Sequence, residues 1–189
     1  MLRRMRTYFV RLLSHYCMQD QIRGRRMINH PFPPLFDRDS KILILGSFPS
    51  VKSREQMFFY GHPQNRFWKL LAVIFKEPVP DTIEEKKRLL TDHHLALWDV
   101  IAECEIRGSS DASISGVRAN DLSPVLKGAG IEKIIVNGRT AEKYYKKYIE
   151  PEIHRKAVCL PSTSPANAAW SLERLAKAWG KELNPAATV

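Results

Sequence analysis

Cysteine is scarce in this chain, and the spacing of the few cysteines excludes the commonest metal sites. Three occur in 189 residues, at Cys17, Cys104 and Cys159, and no two of them form a CxxC pair. Structural zinc sites and iron–sulfur clusters use closely spaced cysteine pairs, so we expect neither a metal nor another cofactor. Widely separated thiols are typical of a reduced, intracellular protein, which we place in the cytoplasm.

Long apolar runs are lacking as well. No stretch approaches the roughly 20 consecutive apolar residues that a membrane-spanning helix needs. Hydrophobic residues nevertheless make up 44% of the chain, which is enough for one domain with a core. The sequence therefore predicts a single domain over residues 28–189 and no association with a membrane.

Acidic residues are nearly absent from the first 26 residues. This segment has seven arginines and one acid, Asp20, and supplies six of the ten net positive charges. An arginine-rich start can be an organelle transit peptide, a disordered basic tail, or the result of a reading frame that begins upstream of a working start at Met27. We expect residues 1–27 to be a basic extension of one of the last two kinds.

The net charge of +10 suits a polyanion such as nucleic acid, but a basic surface can also serve solubility alone. Without the extension the charge is about +4. The argument for a nucleic-acid partner therefore depends on the folded part of the chain.

Apolar segments with the pattern of buried strands alternate with segments of helical spacing. The strands are predicted at residues 41–46 (KILILG), 95–101 (LALWDVI), 132–138 (EKIIVNG) and 156–161 (KAVCLP). The helices are predicted at residues 65–75, from a Thr82/Glu85 capping box to about residue 93, at 139–149 and at 168–179. This alternation predicts a three-layer α/β/α fold around a mostly parallel four-stranded sheet.

Three loops of unusual composition follow predicted strands. They are the glycine- and aromatic-rich segment from Gly46 to Asn65, the Asn137–Gly138 turn, and PSTSPAN at residues 161–167. Ligands of parallel sheets bind beyond the carboxyl ends of the strands, so we expect these loops to meet at one site.

The loops have the groups that a phosphate or a base would need. Backbone amides around Gly46, Ser47, Phe48 and Ser50 allow close approach of a ligand. The hydroxyls of Ser162, Thr163 and Ser164 precede a helix, where they either bind phosphate or only cap the helix.

Tyr60 and Asn65 each have two interpretations. Tyr60 lies beside a glycine and could stack on an exposed base, whereas Phe58 and Phe59 are expected in the core. Asn65 is either an ordinary helix N-cap or a group that positions a nucleophilic water, which an amide can do without titrating.

The order of these segments resembles the uracil-DNA glycosylase superfamily, and within it the hypoxanthine-DNA glycosylase branch. GSFPS occupies the place of the first superfamily motif, G-x-D/N-P-x, after the first strand. FFYGHPQNRFWK resembles the mismatch-specific uracil glycosylases, VNG resembles the thymine-DNA glycosylases, and LPSTSPA lies where the superfamily has its H-P-S-P loop. The resemblance covers roughly residues 29–179.

The chain departs from the superfamily at both usual catalytic positions. Phe48 stands where most members have an Asp or Asn, and Leu160 stands where they have a His. In the hypoxanthine branch the essential polar role is attributed to the asparagine of the GHPxN segment, which is Asn65 here. The resemblance further implies a base pocket formed by Gly46, Ser47, Phe48, Tyr60 and Asn137.

The resemblance implies a monofunctional DNA repair enzyme. It would act as a monomer on double-stranded DNA, flip a deaminated purine out of the stack and leave an abasic site. Ser50, Ser162, Thr163 and Ser164 would contact phosphates. Relatives push a bulky side chain into the vacated stack, whereas Ala166 and Asn167 stand at the matching positions here.

Two alternatives remain at the level of sequence. One is a uracil-DNA glycosylase that acts on mismatched pairs, and the other is a noncatalytic DNA-damage-binding module, which the loss of both usual catalytic residues makes conceivable. His62 and the Asp111/Ser113 loop are weaker site candidates, more typical of loop structure.

Overall fold

The computed structural model describes residues 27–184. The predicted basic extension, apart from Met27, and the last five residues lie outside the described residues. Met27 is the first residue of a strand. The strands are β1 (Met27–Asn29), β2 (Ile42–Gly46), β3 (Leu95–Asp99), β4 (Ile101–Glu105), β5 (Ser115–Ala119), β6 (Lys133–Asn137) and β7 (Val158–Leu160).

The central sheet has four parallel strands in the order β3-β2-β6-β7, which confirms the predicted sheet. Both of its faces are buried. Leu43 and Leu45 of β2 belong to one apolar cluster, while Ile44 between them belongs to the other. Because neighbouring side chains of a strand point to opposite faces, the continuous apolar run requires cover on both sides.

Helices provide that cover, so the three-layer α/β/α prediction is confirmed. They are α1 (Val51–Gln56), α2 (Phe67–Phe75), α3 (Ile83–Asp92), α4 (Ser123–Gly128), α5 (Arg139–Tyr144), α6 (Glu150–Ile153) and α7 (Leu172–Leu183). Phe67 and Trp179, from α2 and α7, are fully buried in one cluster, and Tyr145, just after α5, is buried in the other.

A second, antiparallel sheet of strands β1-β4-β5 was not predicted. The predicted strand 95–101 ends at Asp99 because the chain then leaves the parallel ladder. The amides of Val100 and Ile101 donate to the carbonyls of Gly46 and Ser47, and β4 begins at Ile101 in a new direction to pair with β1 and β5.

Several helix boundaries also differ from the sequence prediction. Helix α1 lies inside the segment from Gly46 to Asn65, which the sequence predicts as a loop, and it begins where the Ser50 hydroxyl accepts a hydrogen bond from the Ser53 amide. Helix α7 begins at Leu172 rather than at residue 168, capped by Ser171. The capping box of α3 is confirmed, and α5 continues as a π-helical turn over Tyr145–Ile149.

Residues 27–184 lack two kinds of feature. None of the helices there combines the length and the apolar character needed to cross a bilayer. In the same part of the chain, no three His, Cys, Asp or Glu side chains are grouped closely enough to bind a metal ion.

Candidate active site

A cavity of about 830 Å³ lies at the carboxyl end of the parallel sheet. The final residues of the four strands, Asp99, Gly46, Asn137 and Leu160, all line it. The three unusual loops meet there, as the sequence predicts. The predicted site residues that line the cavity are Gly46, Ser47, Phe48, Ser50, Tyr60, Asn65, Asn137, Ser162, Thr163, Ser164, Ala166 and Asn167. Their roles in the reaction stay predictions.

The cavity floor has no room for a side chain at Gly46. Its register partner in β3 is Asp99. A Cβ atom at Gly46 would lie 2.2 Å from Oδ1 of Asp99 and 3.4 Å from the Tyr60 hydroxyl oxygen. Glycine is therefore required here to let two polar side chains approach the floor.

Asp99 and His30 form a buried pair that the sequence analysis missed. His30 Nε2 and Asp99 Oδ2 are 2.8 Å apart, and the side chains are 4% and 7% exposed. An acid that ends an apolar strand is a signal that could have pointed to Asp99, because buried carboxylates are rare without a partner. Nothing local marks His30, which lies 69 residues away along the chain.

Tyr60 contributes a ring and a buried hydroxyl. Its ring stacks on Phe67, with centroids 3.9 Å apart and planes inclined by 23°. Burial, reinforced by the nearby Asp99 carboxylate, raises the pKa of the Tyr60 phenol well above its usual range. The hydroxyl has no hydrogen-bond partner among residues 27–184. Since Phe67 covers one ring face, a base could stack only on the other.

Asn65 has the features of both a helix cap and a cavity residue. Its Oδ1 accepts a hydrogen bond of 3.0 Å from the Phe67 amide at the start of α2, which is a capping interaction. Its Nδ2 donates no hydrogen bond to the described residues, and Asn65 lines the cavity. Capping and substrate contact are thus compatible, because the cap uses a single lone pair of the amide oxygen.

Arg66 and Asn137 hold the 161–170 loop in shape. The Arg66 guanidinium donates to five backbone carbonyls of the loop, those of Ser162, Thr163, Ser164, Asn167 and Trp170. Asn137 accepts from the Thr163 amide at 3.0 Å and donates to the Thr163 hydroxyl at 2.9 Å. Thr163 uses the oxygen and one N–H of this amide, so Asn137 shapes the cavity wall. Its second N–H remains, and the amide lies close enough to the Tyr60 hydroxyl to oppose the rise in the phenol pKa.

The serine hydroxyls of the rim already accept bonds from the backbone. Ser50 caps α1, Ser162 accepts from the Ser164 amide at 3.2 Å, and Ser164 accepts from the Ala166 amide at 3.3 Å. The Ser162 and Ser164 hydrogens remain to be donated, so their capping role does not exclude a phosphate contact. The Ser50 hydroxyl also bonds the Ser53 hydroxyl at 3.0 Å, where either oxygen can be the donor.

Two further titratable side chains line the cavity. Asp111 accepts hydrogen bonds of 3.1 and 3.2 Å from the Ser47 hydroxyl, and burial raises the pKa of its carboxyl. Burial, with the Glu142 carboxylate, raises the pKa of the Cys159 thiol to about 11. A thiol with that pKa stays protonated at neutral pH and is a poor nucleophile.

Similarity to known proteins identifies the family of the chain. A family model described as the uracil DNA glycosylase superfamily matches residues 33–184. The chain belongs to the uracil DNA glycosylase superfamily. The match spans every strand of the parallel sheet and all three loops of the cavity.

Two curated relatives of this superfamily member are named hypoxanthine DNA glycosylase. One, from Methanosarcina acetivorans, is 35% identical over 153 residues, which are 78% of this chain and 94% of the relative. The other, from Methanosarcina barkeri, is 35% identical over 117 residues, which are 60% of this chain and 73% of the relative.

A solved structure has the same fold. The solution NMR structure of a Methanosarcina acetivorans protein, described as a candidate uracil DNA glycosylase, superposes with a TM-score of 0.72 at 30% identity. The likeness covers 85% of this chain and 98% of that one. The two proteins therefore share their fold over most of this chain.

Proposed function

We propose that this superfamily member is a monofunctional DNA-deoxyinosine glycosylase. It hydrolyses the N-glycosidic bond of a flipped hypoxanthine and leaves an abasic site. The observation that carries the proposal is the placement of Asn65, whose Nδ2 is unbound within residues 27–184, in a cavity where the two usual catalytic positions hold the buried Phe48 and Leu160. The names of the two relatives support the same substrate.

Selection begins before the base enters the cavity. Extruding a base from the duplex costs a few kcal/mol, and least for a weakly paired lesion such as inosine. The cavity then encloses the base between apolar and aromatic walls, with Phe48 and Tyr60 among them. In the proposed complex, backbone amides near Phe48 contact the O6 edge of the base.

The chemistry depends on charge at two places. The departing purine becomes an anion, and preorganised donors that stabilise it supply most of the acceleration. Asn65 positions the attacking water below C1′ and supports the positive sugar, a contribution of roughly 10²–10⁴-fold. No lysine lines the cavity in the described residues, which agrees with hydrolysis by water rather than through a Schiff base.

The rim of the cavity faces the DNA backbone. Ser50, Ser162 and Ser164 donate hydroxyl hydrogens to phosphates, with Thr163 fixing the loop between the last two. Ala166 and Asn167 line the cavity at the positions where relatives carry a wedge, and neither side chain is large enough to fill a vacated base stack. We place the protein inside the cell, acting as a monomer on double-stranded DNA that contains a deaminated base.

The proposal is tested by alkaline cleavage of labelled duplexes that contain a single inosine, xanthine or uracil. Strand breaks at inosine after incubation with the protein support it. Breaks chiefly at uracil assign the protein to the mismatch-directed uracil glycosylases instead. Tight binding to the inosine duplex with no breaks on any substrate identifies a noncatalytic damage-binding module.

A further inference from the structure

The floor of the cavity contains polar groups that neither the superfamily motifs nor the proposed mechanism uses. Asp99 Oδ1 and the Tyr60 hydroxyl both lie over Gly46, 2.2 and 3.4 Å from the point that a Cβ would occupy. The hydroxyl has no hydrogen-bond partner among the described residues, and the hydrogen bond found for the Asp99 carboxylate there is through Oδ2. An unpaired hydroxyl at a buried floor is costly, so a ligand that pairs the Tyr60 hydroxyl is favoured.

His30 holds the carboxylate in one orientation. Its Nε2 bonds Asp99 Oδ2 at 2.8 Å, and its ring is packed against Phe32 and Phe48, with centroids 4.6 and 6.1 Å away. Because the ring is fixed by aromatic neighbours, the carboxylate cannot turn Oδ1 away from the cavity without breaking this bond. The pair is thus preorganised rather than flexible.

We propose that Asp99 and Tyr60 read the lactam edge of the flipped base, with His30 as a positioning residue. Asp99 Oδ1 accepts the hydrogen of ring N1, and the Tyr60 hydroxyl donates to O6. This inference rests on the proposed function, since it assumes that a deaminated purine occupies the cavity.

The chemistry of the two groups explains the direction of selection. A carboxylate oxygen only accepts hydrogen bonds, and a phenol readily donates one. Hypoxanthine presents a donor at N1 beside an acceptor at O6, which matches this pair. Adenine presents an acceptor at N1 beside a donor amino group, so its lone pair would face the carboxylate. The floor therefore accepts the deaminated base and rejects its parent. Guanine has the same lactam edge, and its exclusion is left to the cost of opening a G·C pair.

The substrate itself provides the sharpest test. N1-methyldeoxyinosine keeps O6 but has no hydrogen on N1. Under single-turnover conditions, the wild type should release the base from N1-methyldeoxyinosine much more slowly than from deoxyinosine. Losing a hydrogen bond to a charged group corresponds to about 10- to 100-fold in rate. Equal rates on the two duplexes would overturn the inference without any variant being made.

Variants then assign the atoms. In Asp99→Asn the amide can turn its NH₂ group toward the base, so deoxyinosine release should slow and the preference over the methylated substrate should shrink by about 10-fold or more. Tyr60→Phe removes a hydroxyl without a protein partner among residues 27–184, so it should fold as well as wild type. It should slow both substrates equally, because both retain O6.

The positioning role of His30 is tested by comparing a conservative variant with a truncation. His30→Gln keeps an N–H group and should retain more of the substrate preference than His30→Ala, which leaves the carboxylate unheld. The exposed Asp39→Asn serves as the control and should leave both rates unchanged.

An Asp99→Asn protein that folds, releases hypoxanthine and keeps the wild-type preference for deoxyinosine over N1-methyldeoxyinosine would show that Asp99 does not read N1. A wild type that releases no base from either duplex would instead defeat the proposed function, and this inference with it.

Discussion

At the scale of single residues, Asn65 has a structural and a chemical role at once. Its Oδ1 caps α2 through the Phe67 amide, while its Nδ2 makes no bond within residues 27–184. Losing a side-chain cap typically costs about 1 kcal/mol of stability. A cap by itself, however, does not alter the rate of a chemical step, so stability and activity separate the two roles.

Gly46 permits a direct test of the cavity floor. Gly46→Ala places a methyl group 2.2 Å from Asp99 Oδ1, far inside contact distance, so the carboxylate or strand β2 must shift. We expect base release from an inosine duplex to fall by at least 10-fold, on the order of the effect of misplacing a positioned group. The measurement is single-turnover release. Gly130→Ala is the matched control, because a Cβ there would meet only the tip of Lys41, 3.5 Å away. Wild-type activity in Gly46→Ala would show that the floor is not part of the site.

At the scale of elements, Arg66 links α2 to the 161–170 loop through five backbone carbonyls. Its planar guanidinium donates in several directions, whereas a lysine at the same place can satisfy fewer acceptors. The loop that faces DNA is therefore fixed by a residue that need not touch the DNA.

Arg66→Lys should destabilise the protein by about 2 kcal/mol, since charge-assisted hydrogen bonds to part-buried carbonyls are lost. The expected signature is faster amide exchange across residues 161–170 together with weaker binding of inosine duplex. Urea unfolding and hydrogen exchange measure the two effects, and the exposed Arg38→Lys is the control. Unchanged exchange in the loop would contradict the assigned role.

Glu142 ties α5 to the turn that follows it. Hydrogen bonds from Lys146 and Arg139 lower the pKa of its carboxyl to about 2 from an ordinary 4.5. A depressed folded-state pKa adds stability that is complete above the unfolded-state value and is lost as the pH falls toward 2. Glu142→Gln should thus be less stable than wild type at pH 7, with the difference shrinking between pH 4.5 and pH 2. Thermal unfolding across that range checks this, with Glu152→Gln as the control. A pH-independent difference would show that the ion pairs are not its cause.

The elements differ in how far the sequence predicts them. The four parallel strands follow from continuous apolar runs such as ILILG, and the capping box of α3 follows from Thr82 and Glu85. The antiparallel sheet could not be predicted from the sequence, because β1 has only three residues and pairs with a strand about 75 residues away along the chain. The loops of the site are identifiable by composition, whereas the His30–Asp99 pair exists only after folding brings its partners together.

At the scale of the whole molecule, positive charge is unevenly distributed. The first 26 residues carry six of the ten net charges, and the described fold begins at Met27. Neutralised phosphates release counterions, so the salt dependence of DNA binding reports how many cations contact the backbone.

Removal of residues 2–26 should make DNA binding weaker and less dependent on salt, because seven arginines are lost. The rate of base release at saturating protein should not change, since the groups that the proposed mechanism uses all lie within residues 27–184. Binding isotherms at several salt concentrations give the slope of the logarithm of the binding constant against the logarithm of the salt concentration. A slope equal to that of the full chain would show that the basic segment makes no contact with DNA.

The most direct test of the whole account is the release of free hypoxanthine from an inosine duplex, measured by chromatography under single-turnover conditions. We expect wild type and the neighbouring exposed variant Gln64→Ala to release it, and Asn65→Ala to be slower by roughly 10²-fold or more, the contribution of a positioned catalytic group. The account is contradicted if wild type releases no hypoxanthine, or if Asn65→Ala stays within a few-fold of wild type and loses only the stability of a helix cap.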